Sequence, residues 1–247
     1  MSLALTIAQL EQIVADCRVS ESRAGYFAAM YLGVTRRVEA EAAGDRFLDA
    51  SRMEVLATRF AARYLDAYGT WSRGGVPTRS WVAAFTATHR RRPVALQHLL
   101  LGMNAHINLD LGVAAAEVAP GAALPSLQRD FDAINDVLSS HLDRAQDALD
   151  RVSPALGLVD RFGGRSDEEI FRFSLRVARR AAWRVAERLA PLADDARAGA
   201  IDALDRGVAG LAGRVLHPGP FVEAALLVVR LRERRDPSEV IDTLARA

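Results

Sequence analysis

The stretch Gln97–Gly112, QHLLLGMNAHINLDLG, constrains the fold of this chain more than any other. Leu99 and Met103 flank one side of a helix drawn through it, and Leu100, Leu101, Ile107 and Leu111 cover the others. A helix that is apolar nearly all round is buried. Within it His98, Gly102, His106 and Asp110 follow one another four residues apart, so they form one slowly drifting stripe. Ionisable groups in such a place must be paired, bound to a metal ion or shifted in pKa.

Helical periodicity recurs along the rest of the chain, and alternating strand-like runs are scarce. It predicts helices near 6–18, 21–43, 50–69, 78–90, 93–116, 126–150, 166–190, 194–215, 219–234 and 237–246. Ser51-Arg-Met-Glu54 and Ser166-Asp-Glu-Glu169 read as capping boxes. Gly74-Gly75-Val-Pro77 and Ala119-Pro120-Gly121 read as breaks. Asp236-Pro237 reads as an N-cap followed by proline at the first helical position. The expected architecture is all-α: a single multi-helix bundle of nine or ten helices spanning 1–247, with a hinge at Gly163-Gly164 before a C-terminal helical part.

Composition narrows the function classes. A chain of 247 residues, half of them hydrophobic, can bury a substantial core. A net charge of +1 creates no general field toward nucleic acid or membrane, and no uncharged apolar run reaches the ~20 residues of a membrane span. All 32 basic side chains are arginine, which excludes lysine nucleophiles and Schiff bases. The single cysteine, Cys17, excludes an intrachain disulfide and a multi-cysteine metal site. With an N-terminus lacking a basic n-region, it points to a cytoplasmic protein.

His106 and Asp110 carry the sharpest chemistry. An i, i+4 pair of His and carboxylate can place two ligands on one ion, or let the carboxylate orient the imidazole as a general base. Gly102, one turn earlier, leaves room for a ligand or a neighbouring helix. His98 lies roughly 12 Å from His106 along the axis, close enough to share a substrate, as acid or donor, but hardly a metal ion. The plainer reading is a polar seam of histidines bonded to neighbouring helices. Asn104 and Asn108, on the opposite side, suit amide bonds to adjacent helices or a second polar cavity.

Further candidates lie outside this helix. Asn135, Ser139 and Asp143 form an oxygen-bearing i, i+4, i+8 row suited to Mg²⁺; it resembles the second metal motif of class I terpene synthases, without their aspartate-rich first motif. Asp130, Asp132 and Asn135 form another subset that can turn toward the histidine helix. Arg176, Arg180 and Trp183 share a face able to hold a carboxylate or phosphate, or arginines paired with acids of the 126–150 helix. Asp66 and Arg79 are expected to pair or to reach the pocket. Gly207, Gly210 and Gly213 form a small-residue row suited to close helix packing. No nucleophile elbow or phosphate-cradling glycine loop is present.

The run LQHLLLGMNAHINLDLG, with RYLDA and RSWVAAF before it and DFDAIN and FSLRVARRAAW after it, resembles an uncharacterised bacterial family, domain of unknown function 5995. The resemblance spans about Tyr26 to Leu189 and implies a soluble helical domain whose polar helix is its hallmark. His106 and Asp110 are also similar to the His-x-x-x-Asp element of the helical zinc phospholipase C and S1/P1 nuclease group, whose other zinc ligands have no counterparts here. The expectation is a small-molecule enzyme working by acid–base or metal-assisted hydrolysis, cyclisation or isomerisation. His98, His106 and Asp110 would be catalytic, with a divalent metal ion, where used, on His106 and Asp110. Asp66, Arg79, Asn104, Asn108, Asp130, Asn135 and Arg176 are the expected substrate neighbours. The alternatives are a non-catalytic ligand-binding or scaffold protein and Mg²⁺-dependent chemistry on a prenyl diphosphate. No nucleic-acid or membrane partner is expected. The helix FVEAALLVVRLRER has enough apolar surface to form a homodimer.

Overall fold

The structure, a computed structural model, describes residues 2–42, 44, 47–153, 167–234 and 236–246, and of 135–146 and 167–176 the backbone alone. Among these residues it is all-α. Helices α1 (Leu3–Val19), α2 (Ala24–Ala42), α3 (Ala50–Ser72) and α4 (Arg79–Thr88) precede a central rod. The rod runs through α5 (Ala95–Ala105), a π-helical turn (His106–Asp110) and α6 (Leu111–Val118). A 3₁₀ turn (Gly121–Ala123) leads to α7 (Leu124–Val152), followed by α8 (Asp167–Leu189), α9 (Asp194–Leu216), α10 (Pro220–Arg232) and α11 (Pro237–Ala245). With the rod taken as one helix, these limits follow the predicted ones closely.

The rod is the core helix its composition demands. Ala95–Val118 is long and apolar enough to cross a membrane, and 78% of its most apolar window is buried inside the fold. Helices α2, α3, α4, α8 and α9 pack around it. Two glycines allow the closest approaches: a Cβ on Gly102 would lie 2.5 Å from the Phe27 ring, and one on Gly112 2.7 Å from the Ala182 carbonyl oxygen.

Two apolar clusters meet along the rod. One gathers Leu10, Phe27, Tyr64, Trp81 and Leu99, and takes in the rod as far as Ala105. The other gathers Met53, Leu127, Phe131 and Trp183, and takes in the rod from Leu109. The π-helical turn therefore sits at the junction of the two cores, with Phe60 packed against both.

Polar ties between distant segments set several helix ends. Asp130, 1% exposed, accepts the backbone N–H groups of Leu48 at 2.7 Å and Asp49 at 3.1 Å. That holds the approach to α3 so that Asp49 caps it, accepting from Arg52 N–H at 2.9 Å. Ser51, expected as the cap, lies inside the first turn. Asp205, on α9, accepts from the N–H groups of Arg79 at 2.7 Å and Ser80 at 2.9 Å, which satisfies the start of α4 where the Thr78 side chain makes no capping bond. Asp236 caps α11 ahead of Pro237 as predicted. Among the described residues nothing lies within reach of a Cβ on Gly207, Gly210 or Gly213, so none of these residues makes the close packing expected of them. The Gly163-Gly164 hinge and the Ser166 capping box lie outside the described residues.

Candidate functional site

The π-helical turn shapes the site from the backbone up. Its widened register is closed by the Leu111 N–H donating to the His106 carbonyl, one residue beyond the α-helical partner. Such bulges are uncommon inside α-helices and concentrate at functional positions. Here the turn keeps His106 and Asp110 side by side: Nδ1 of His106 lies 3.3 Å from Oδ2 of Asp110. A carboxylate only accepts, so Nδ1 carries the proton and Nε2 presents its lone pair.

Asp110 is gripped from two neighbouring helices. Arg63 of α3 donates through Nε to Oδ1 at 3.0 Å, and Trp81 of α4 donates through Nε1 to Oδ2 at 2.9 Å. Arg63 also reaches Glu117 at 3.5 Å. Asp110 is 1% exposed and His106 2%. His106 is caged by rings: it stacks on Phe60 with centroids 3.6 Å apart and meets Phe27, Tyr31 and Tyr64 edge-on. Burial pushes its pKa below the ordinary histidine value, against the opposing pull of Asp110. Its Nε2 and the hydroxyl of Tyr64 are buried without a hydrogen-bond partner among the described residues.

An open cleft of about 780 Å³ lies beside this pair, lined by Asp110 and Trp81 at its floor and by Arg63, Asp66, Arg79, Asp202 and Asp205 around it. Of the candidates named from the sequence, Asp66, Arg79 and Asp110 line this cleft, whereas His106 does not. Arg79 pairs there with Asp202 at 2.5 Å, not with Asp66. On the other side, Tyr31 and Phe60, which cover His106, also line a shallow apolar pocket of about 50 Å³.

The remaining candidates are dispersed. His98 is buried against the edge of Tyr26 and does not line the cleft. Burial, aided by Arg23, pushes its pKa down to about 4. The Pro93 carbonyl opposes that shift without meeting hydrogen-bond geometry, and both ring nitrogens are unpartnered among the described residues. Asn104 donates to the Val208 carbonyl at 2.9 Å and accepts from Asn108 at 2.9 Å, which fastens the rod to α9. Asp130 serves the approach to α3, as above, and Asp132 is exposed. Arg179, beside the expected Arg176 face, donates to the Phe131 carbonyl at 2.6 Å and lies over its ring. The side chains of Asn135, Ser139, Asp143 and Arg176 lie outside the described residues.

A divalent ion on His106 and Asp110 does not suit these donors. Both carboxylate oxygens already accept from Arg63, Trp81 and His106, and a guanidinium 3.0 Å away repels a cation. Among the described residues no group of three or more His, Cys, Asp or Glu side chains could hold a metal ion. Arg63 and Asp205 went unnoticed in the sequence because their partners sit on other helices.

No curated protein and no solved structure matches the chain. One family model does, over residues 3–218, which takes in the rod, the π-helical turn and every residue that lines the cleft. The chain belongs to the family of unknown function DUF5995.

Proposed function

We propose that this protein is an enzyme that moves a proton on a small molecule, with His106 as general base and Asp110 as the group that orients it. The observation that carries this reading is the buried His106 ring: Nδ1 bonded to a fixed carboxylate, Nε2 left without a partner. Native structures rarely bury an unsatisfied polar atom without a role for it. The depressed pKa keeps the imidazole neutral, the form a base requires. The Asp110 carboxylate, bonded in turn to Arg63, faces the ring N–H as the imidazole takes up a proton. Hydrolysis and isomerisation both use a base of this kind. His106 does not line the cleft, so a substrate reaches Nε2 only when the surrounding cage of rings opens.

A second reading has its own observation. Asp110 is saturated by three donors, as in a polar junction that locks the register of two cores without catalysis. Assay of p-nitrophenyl acetate and p-nitrophenyl phosphate with the wild type and His106→Gln separates the two. Turnover that falls at least a hundredfold in a folded variant, roughly the contribution of a positioned base, supports the enzyme. Turnover equal in both proteins, or lacking in both, favours the junction.

A further inference from the structure

Helix α10 buries Ala225, Leu226 and Val229 against the bundle. Its outer side leaves Phe221 82%, Leu227 54% and Leu231 66% exposed, with Val228 beside them. At about 100° per residue these four and Ala224 fall within roughly a third of the helix circumference. Among the described residues they form one unpartnered apolar face about 15 Å long. Glu223 and Arg230 stand together on one edge of it. There Glu223 pairs with Arg92 at 3.2 Å and Arg230 donates to the Arg92 carbonyl, contacts that a reciprocal pairing across a two-fold would exchange or share. Both residues also line a pocket of about 290 Å³ between α10 and the Arg90–Pro93 loop.

The positions on this face are self-complementary. Phe221 and Leu231, and likewise Ala224 and Val228, are symmetric about residue 226, and Glu223 and Arg230 share that midpoint to within half a residue. Two copies of α10 laid antiparallel across a two-fold axis place each phenyl ring on the other copy's Leu231 and each small Ala224 opposite Val228. A two-fold that keeps the same edges together also sets each Glu223 against the other copy's Arg230. An isologous contact requires this match of a patch with itself, and a lipid surface would not require the acid.

We infer that the outer face of α10 is a homodimer interface, in which two copies of this chain pair antiparallel through Phe221, Ala224, Leu227, Val228 and Leu231, with reciprocal Glu223–Arg230 ion pairs. The inference is independent of the chemistry at His106. A single short helix face falls near the lower limit of specific interfaces, so the dimer is reversible and depends on concentration.

Sedimentation velocity of the full chain across a concentration series tests this. The wild type is expected to show a monomer–dimer equilibrium, and Leu231→Arg to be monomeric with unchanged far-UV circular dichroism. Glu223→Arg and Arg230→Glu each act twice in a two-fold dimer and are expected to weaken association about tenfold. The double variant restores opposite charges across the axis and recovers it. Leu227→Cys, near the axis, is expected to give a disulfide-linked dimer on mild oxidation, because the native Cys17 is buried. A wild type that stays monomeric overturns the inference, as does a double variant no stronger than either single one. Monomers that co-float with phosphatidylserine–phosphatidylcholine vesicles would assign the face to a lipid surface instead.

Discussion

The indole of Trp81 donates to Oδ2 of Asp110 at 2.9 Å, the same oxygen that accepts from His106. Trp81 is therefore both a core ring and one of the hydrogen-bond donors that satisfy a buried carboxylate. Trp81→Phe keeps an aromatic ring in the cluster but removes the N–H. It is expected to cost about 1–3 kcal/mol for the lost bond to a charged acceptor, together with some packing loss. Urea denaturation followed by circular dichroism measures this, and a change below 0.5 kcal/mol would show that the bond contributes nothing net.

Removing the carboxylate is more severe. Asp110→Ala leaves the Arg63 guanidinium, the Trp81 N–H and the His106 N–H without their shared acceptor at the junction of the two cores. Breaking a buried charge pair from one side typically costs about 3–5 kcal/mol, and Arg63, partly open to solvent, places the expected loss at the lower end. Asp110→Asn keeps the shape and one acceptor and is expected to lose less. Equal stability of the two variants would show that charge is not what holds the junction.

Helix limits were legible in the sequence where periodicity and local chemistry agree, as at Asp236-Pro237, where cap and proline act within one turn. The capping residue, though not the helix start, differed where a distant residue intervenes. Ser51 and Asp49 both suit a cap, and Asp130, some 80 positions away, fixes the backbone that favours Asp49. The His106–Asp110 pair could be read from four-residue spacing, but the π-helical turn that holds it and the Arg63 and Trp81 donors could not, since those come from other helices. The spacing of Gly207, Gly210 and Gly213 implied a close neighbour, and spacing alone does not reveal that none of the described residues packs closely there.

Acid is expected to weaken the fold through its buried imidazoles. Burial lowers the pKa of His98 to about 4 and lowers that of His106 in the same direction. The unfolded chain then binds protons that the folded one refuses, and stability falls with pH from about 6.5, where unfolded histidine titrates, down through the folded value. For His98 the loss is on the order of 3 kcal/mol between pH 7 and pH 4. His98→Leu removes that part, so its urea stability is expected to fall less over this interval than that of the wild type, whose carboxylates titrate alike. Parallel pH curves for the two proteins would show that His98 is not held neutral by burial.

A matched pair of glycine substitutions tests the packing of the rod. On Gly112 a methyl group would meet the Ala182 carbonyl and the Val185 Cβ, both at 2.7 Å, and neither can turn away because one is backbone and the other is fixed to it. Helix α8 would have to retreat, and Gly112→Ala is expected to destabilise by about 1–3 kcal/mol in spite of its better helix propensity. Gly210, in the middle of α9, has nothing among the described residues within reach of a Cβ. Gly210→Ala is accordingly expected to stabilise by about 0.5–1 kcal/mol through the restricted unfolded chain alone. Thermal and urea melts of both variants supply the comparison. Opposite signs support the close α6–α8 contact, and a stabilising Gly112→Ala would mean that the two helices stand further apart than 2.7 Å implies.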